Sequence, residues 1–219
     1  MALELEGLRV AIFATDRFEQ IELVAPREAL EAAGARTLLV SDKAGRIRGL
    51  NDGNGELFDV AALFDEVSAA DFDAALLPGG MASCDRLRAV LGAVSLVRAL
   101  AEDGKPLAVL GHGAWLLLAA GLVRGRRIAA PYGLDDDIRA AGGVWIDEDV
   151  CVDGNWVTGS RPAAIPAFVG EMRTLLAEYT AGFRRSLHRG EPRELPGGTT
   201  YGNAGTESDA TTGGGAGWR

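Results

Sequence analysis

Short apolar runs and amphipathic stretches take turns along most of the chain. Residues 8–14 are almost continuously apolar, the pattern of a strand covered on both faces in a parallel sheet. A helical stretch over 18–33 stops at Gly34, and Pro26 inside it predicts a kink or a break. Residues 37–41 read as a second strand. The glycine-rich 45–55 region reads as turns around short strands, followed by a small helix over 61–67. Residues 73–78 give another buried strand that runs into Gly79 and Gly80, after which Leu87, Val90, Leu91 and Val94 recur at helical spacing up to Gly104.

Residues 106–110 predict the next strand and 113–120 the next helix. Short strands follow near Ile128 and over 144–146, 150–152 and 156–158. A last amphipathic helix carries Ile165, Phe168, Val169, Met172, Leu175, Leu176 and Tyr179 on one face. Strands alternating with helices predict an α/β fold, a doubly wound and mostly parallel sheet flanked by helices. A single domain over 7–180 accounts for this material, since one core suffices for a chain of this length. Residues 181–219 are rich in glycine, serine, threonine and charge, so a flexible tail is expected there.

Composition then narrows the classes of function. The formal net charge of −9 opposes binding to nucleic acid or to anionic membranes, both of which draw on lysine and arginine. Two cysteines, Cys84 and Cys151, make no disulfide framework. No signal peptide or transmembrane run is evident, so a cytoplasmic location is expected. No phosphate-loop or dinucleotide fingerprint follows a strand, and Glu, Asp and His are too scattered for a metal site. No cofactor and no metal are expected.

In open α/β sheets a ligand sits beyond the carboxyl ends of the strands, which here points to the loops at 16–22, 79–85 and 111–113. Strand, tight turn with Gly111, His112 and Gly113, then helix is the shape of a nucleophile elbow. The segment 108–117 (AVLGHGAWLL) is similar to the PfpI family segment in which a cysteine precedes the histidine. Residues 16–23 (DRFEQIEL), 76–80 (LLPGG) and 147–156 (DEDVCVDGNW) resemble that family's first-loop, oxyanion-loop and late-hairpin motifs. The four matches, in order, cover nearly all of 8–176. The chain is thereby identified as a member of the PfpI-type, glutamine amidotransferase-like superfamily, which also holds the DJ-1-type stress proteins.

The resemblance implies a flavodoxin-like fold and a stress-related intracellular protein, related to peptidases and to enzymes acting on reactive aldehydes such as methylglyoxal. It implies that Glu19 is the loop glutamate beside the nucleophile, with a pKa raised by burial. It makes His112 the histidine after the nucleophile and Gly79 and Gly80 backbone donors to an oxyanion. Asp85 matches an acid that in some members reaches this histidine from a neighbouring subunit, and a homodimer is expected. The nucleophile itself falls on Gly111, which has no side chain. The 129–133 segment (AAPYG) departs from the family order of aromatic and proline.

Blander readings stand beside these. Glu19 could be a helix-start acid favoured by the dipole, and His112 a structural histidine. Cys84, just after the Gly-Gly loop, is a relocated nucleophile or, on the simpler reading, a passive loop thiol. Cys151 between two valines reads as core, and Asp135, Asp136 and Asp137 as the first turn of a helix. His188, in the expected tail, is given no role. Three functions compete. The first is a catalytically degenerate member that keeps a pocket for a small molecule or peptide. The second is a hydrolase or glyoxalase-like lyase using Glu19, His112 and a water. The third is a chaperone-like protein that meets partners through its tail.

Overall fold

The computed structural model describes residues 4–189. A central strand, β1 (Arg9–Phe13), alternates its side chains between two cores: Val10 and Ile12 face one, Ala11 and Phe13 the other. All four are essentially solvent-free, which explains the uninterrupted apolar run. On one side β1 pairs in parallel with β3 (Arg36–Ser41), and β3 with β6 (Ala62–Leu63). On the other it pairs with β7 (Ala74–Leu77), then β8 (Leu107–Leu110), then β12 (Trp156–Gly159), all parallel. Antiparallel β11 (Val150–Asp153) closes the edge, for an order β11-β12-β8-β7-β1-β3-β6.

Helices cover both faces, as a doubly wound sheet requires. Helix α1 (Gln20–Ala32) and the long α6 (Ile165–Arg189) pack together on one face, with Leu23, Leu30, Phe168 and Met172 in that core. Helices α3 (Leu91–Glu102) and α4 (Ala114–Ala119) pack on the other through Leu96, Val97, Leu116 and Leu117. The strand order reverses between β1 and β7. Their carboxyl ends therefore open a crevice, and β2 (Phe18–Glu19), β4 (Arg46–Leu50) and β5 (Leu57–Asp59) form a separate three-stranded sheet. Parallel β9 (Arg127–Ala129) and β10 (Val144–Ile146) form a two-stranded sheet, with α5 (Asp135–Ala140) between them in sequence.

Several expected elements differ. Helix α1 starts at Gln20, because Phe18 and Glu19 are extended and pair with Gly49 and Leu50. Pro26 does not break α1, although its ring removes the helical donor for the Glu22 carbonyl. The small helix expected over 61–67 is an edge strand and a turn: the Ala61 N–H donates to the Leu39 carbonyl and the Phe64 N–H to the Ser41 carbonyl. The periodic run from Leu87 to Gly104 is split between α2 (Met81–Leu87) and α3, with Val90 extended as the N-cap of α3. The tail boundary at 181 falls inside α6, which runs on through Gly182 to Arg189 with no proline in that stretch; the rest of the tail lies outside the described residues.

Phe13 is fully buried and meets Phe64 edge-on, ring centroids 5.1 Å apart, tying β1 to the β6 edge. Phe13→Ala should lower unfolding stability by about 3–5 kcal/mol in urea titrations, with the slope unchanged.

Candidate active-site cleft

The loops after β1 and β7 are bound to one another at the crevice. The Thr15 N–H donates to Ser83 Oγ at 3.0 Å, and the Glu19 N–H to the Gly79 carbonyl at 3.0 Å. The approach leaves no room for a side chain at Gly80. Its φ is +98°, and a Cβ would press on the backbone of Phe18 and Glu19.

Glu22, in the first turn of α1, points inward and is 3% exposed. Its Oε2 accepts a buried hydrogen bond of 2.7 Å from the Gly79 N–H. Burial is the main cause that lifts its carboxyl to about 7. The Gly79 hydrogen bond opposes the rise and the neighbouring Glu19 charge adds to it. Glu22 thus sits on the inner stripe of the helix with Pro26 and Leu30, as an acid among apolar residues.

Gly111 ends β8 at φ +52°, in a turn that leads into α4. A Cβ there would lie 3.1 Å from each Glu22 carboxylate oxygen: tight, but within what a small shift of that side chain relieves. So the structure bars a side chain at Gly80 and only crowds one at Gly111. Whatever is attached at 111 faces Glu22.

His112 is half-buried, and burial lowers its pKa, which favours the neutral imidazole. Its ring lies 4.9 Å from that of Trp115, and the Arg88 guanidinium sits 5.1 Å from the Trp115 ring on its face. Arg88 is held by Asp85 at 2.6 Å. Asp85 is therefore separated from His112 by Arg88 and Trp115.

These loops line a cleft of about 590 Å³ whose floor holds Glu22, Gly111 and His112. Arg17, Glu19 and Gly80 line it from one side, and Pro131, Ser160 and Arg161 are also in the lining. Of the residues expected from sequence, Glu19, Gly80, Gly111 and His112 meet here. Three expectations change. The carboxylate against position 111 is Glu22, one helical turn beyond Glu19, because α1 starts at Gln20 and turns Glu22 inward while Glu19 stays partly exposed. The Gly79 N–H is occupied by Glu22 and does not face the cleft as a free donor. Asp85 is not among the cleft residues of a single chain. Glu19 does have a raised pKa, mainly from burial and also from Asp52.

Cys84 is buried under α2 with Sγ 3.4 Å from the Pro78 carbonyl oxygen, and burial pushes its thiol pKa far up. It is a packed, inert thiol, as the simpler reading held. Cys151 is buried in β11 and its thiol is likewise raised, mainly by burial. Asp135, Asp136 and Asp137 form the first turn of α5. Among the described residues no cluster of three acid, histidine or cysteine side chains could hold a metal ion, and no helix is long and apolar enough to cross a membrane.

Residues 8–175 match the DJ-1/PfpI family. The chain belongs to that family. It is 39% identical over 169 residues to a deglycase of Pyrococcus abyssi, covering 77% of this chain and 99% of that protein. It is 34% identical over 171 residues to general stress protein 18 of Bacillus subtilis, covering 78% and 98%. The solved ThiJ/PfpI domain protein of Brachyspira murdochii superposes with a TM-score of 0.73 over 79% of this chain and 98% of that one; at 22% identity it shares the fold. The glutamine amidotransferase-like superfamily accommodates this sheet order and this DJ-1/PfpI cleft.

Two residues of the DJ-1/PfpI cleft, Glu22 and Arg17, were not singled out from the sequence, and only the first carried a signal. Glu22 precedes Pro26 and Leu30 by four and eight positions, which marks an acid on a buried helix face. Arg17 has no comparable signal, since its place depends on a backbone conformation.

The Glu22 shift has a stability consequence of definite sign. Its carboxyl ionises near 4.5 in the unfolded chain and at about 7 when folded. The contribution is fully present below 4.5 and is lost as pH rises through 7, a change of about 3 kcal/mol. Glu22→Gln should match the parent in urea unfolding at pH 4 and exceed it by up to about 3 kcal/mol at pH 8.

Proposed function

We propose that this chain is a DJ-1/PfpI protein with its nucleophile removed: it keeps the family cleft as a small-molecule site and lacks cysteine-dependent chemistry. The observation that carries this reading is Gly111. It ends β8 at positive φ, begins the elbow turn and directs its absent Cβ at the buried Glu22 carboxyl. The resemblance of 108–117 to the family's elbow puts the cysteine at this position. Without a thiolate there is no covalent adduct with an aldehyde or an acyl group.

Glycine is also the residue that this backbone favours. A side chain in the left-handed region costs roughly 1–2 kcal/mol, which glycine avoids. Loss of the thiol therefore leaves the turn intact.

A second reading has its own support. Glu22 titrates near neutrality and His112 favours the neutral form, both on the floor of one cleft. A water in the space beside Gly111 could then be activated by Glu22 as general base. In the expected arrangement the carboxylate was Glu19; the geometry favours Glu22.

Turnover of methylglyoxal by the parent and by Gly111→Cys separates the two. Under the first reading the parent is inactive and the cysteine variant gains turnover, at a stability cost of roughly 1–2 kcal/mol. Turnover by the parent that Glu22→Gln abolishes establishes the second reading instead.

A further inference from the structure

The cleft carries two opposite charges that the described residues leave unpaired. Among the described residues, neither Arg17 nor Glu19 makes an ion pair, whereas the other cleft guanidinium, Arg161, is engaged by Asp149. Phe18 stands between Arg17 and Glu19 and is fully buried. Residues 17 and 19, on either side of that buried ring, are both in the lining of the cleft. They form no ion pair with each other among the described residues.

Arg17 is held there against its backbone preference. Its φ is +65°, a region where glycine or asparagine is at less cost. The conformation is fixed from outside: the Arg17 N–H donates to the Arg48 carbonyl at 2.6 Å, and the Arg48 N–H donates to Asp16 Oδ1 at 2.8 Å. A long cation in a disfavoured, externally pinned conformation at a cleft is a side chain in use.

A ligand that satisfies this cleft must answer both charges. A neutral aldehyde leaves both unmet, a phosphate or dicarboxylate meets Glu19 with like charge, and a diamine meets Arg17 with like charge. The geometry points to a zwitterion: the cleft takes a free α-amino acid, with its carboxylate on Arg17, its ammonium on Glu19 and its side chain against Leu50, Met81 and Pro131. This rests on the reading of the cleft as a non-covalent site.

The test is calorimetric titration of the full chain with L-leucine, with 4-methylpentanoate, which lacks the ammonium, and with 3-methylbutylamine, which lacks the carboxylate. L-leucine should bind at least about tenfold tighter than either analogue. Arg17→Gln should remove its advantage over the amine, and Glu19→Gln its advantage over the acid. Each variant's retained binding of the other analogue shows that it is folded. Leucine binding no tighter than both analogues, or unchanged affinity in both variants, overturns the proposal. Turnover gained by Gly111→Cys without any leucine preference overturns the amino-acid site while leaving the nucleophile-less reading in place.

Discussion

The hydrogen bond from the Gly79 N–H to Glu22 Oε2 holds the functional end of the molecule together. It joins the first turn of α1 to the loop after β7, across the point where the strand order reverses. Every other cleft contact is arranged around it. Gly80 follows directly and lets the two loops close, the Glu19 N–H returns a bond to Gly79, and Gly111 arrives at the end of β8 facing the same carboxyl. A buried acid is costly unless it is neutral or well bonded. Here it receives one backbone donor and a pKa near neutrality, so the fold tolerates it most easily in the protonated form.

That constraint explains why glycine at 111 sits without strain opposite the buried carboxyl. In a cleft with a thiol, Glu22 would have a second partner within reach; with glycine it retains only the Gly79 donor. The strain of a left-handed residue is absent where there is no Cβ. The elbow geometry, the half-buried His112 and its stack on Trp115 are unaffected by the identity of residue 111, because none of these contacts uses its side chain.

How much of this was legible depended on what each signal measured. The strands β1, β7 and β8 were clear because burial on both faces leaves a continuous apolar run. Residues 61–67 misled because Leu63, Phe64 and Val67 carry helical spacing, while the carbonyls of Leu39 and Ser41 at the open edge of β3 claim the backbone N–H groups. At the site, Glu19 and Glu22 lie in one motif, and only the starting residue of α1 decides which turns inward. The two residues of β2 set that start, and a pairing as short as Phe18 with Gly49 has no periodicity to betray it. The Gly79 N–H was assigned outward for the same reason: its acceptor was the glutamate whose register was not fixed.

The same register separates the cleft's two kinds of charge. Phe18 is buried in the core, while residues 17 and 19 on either side of it line the opening. The first helical turn then brings Glu22 back beneath them. Over six residues the chain thus places a cation and an acid where solvent can still reach them, and a second acid where it cannot. Burial lifts the inner acid, Glu22, to about 7. A backbone nitrogen that Gly79 gives to Glu22 cannot also stabilise a ligand oxygen. The placing of one acid inside and two charged residues at the rim follows from where α1 begins.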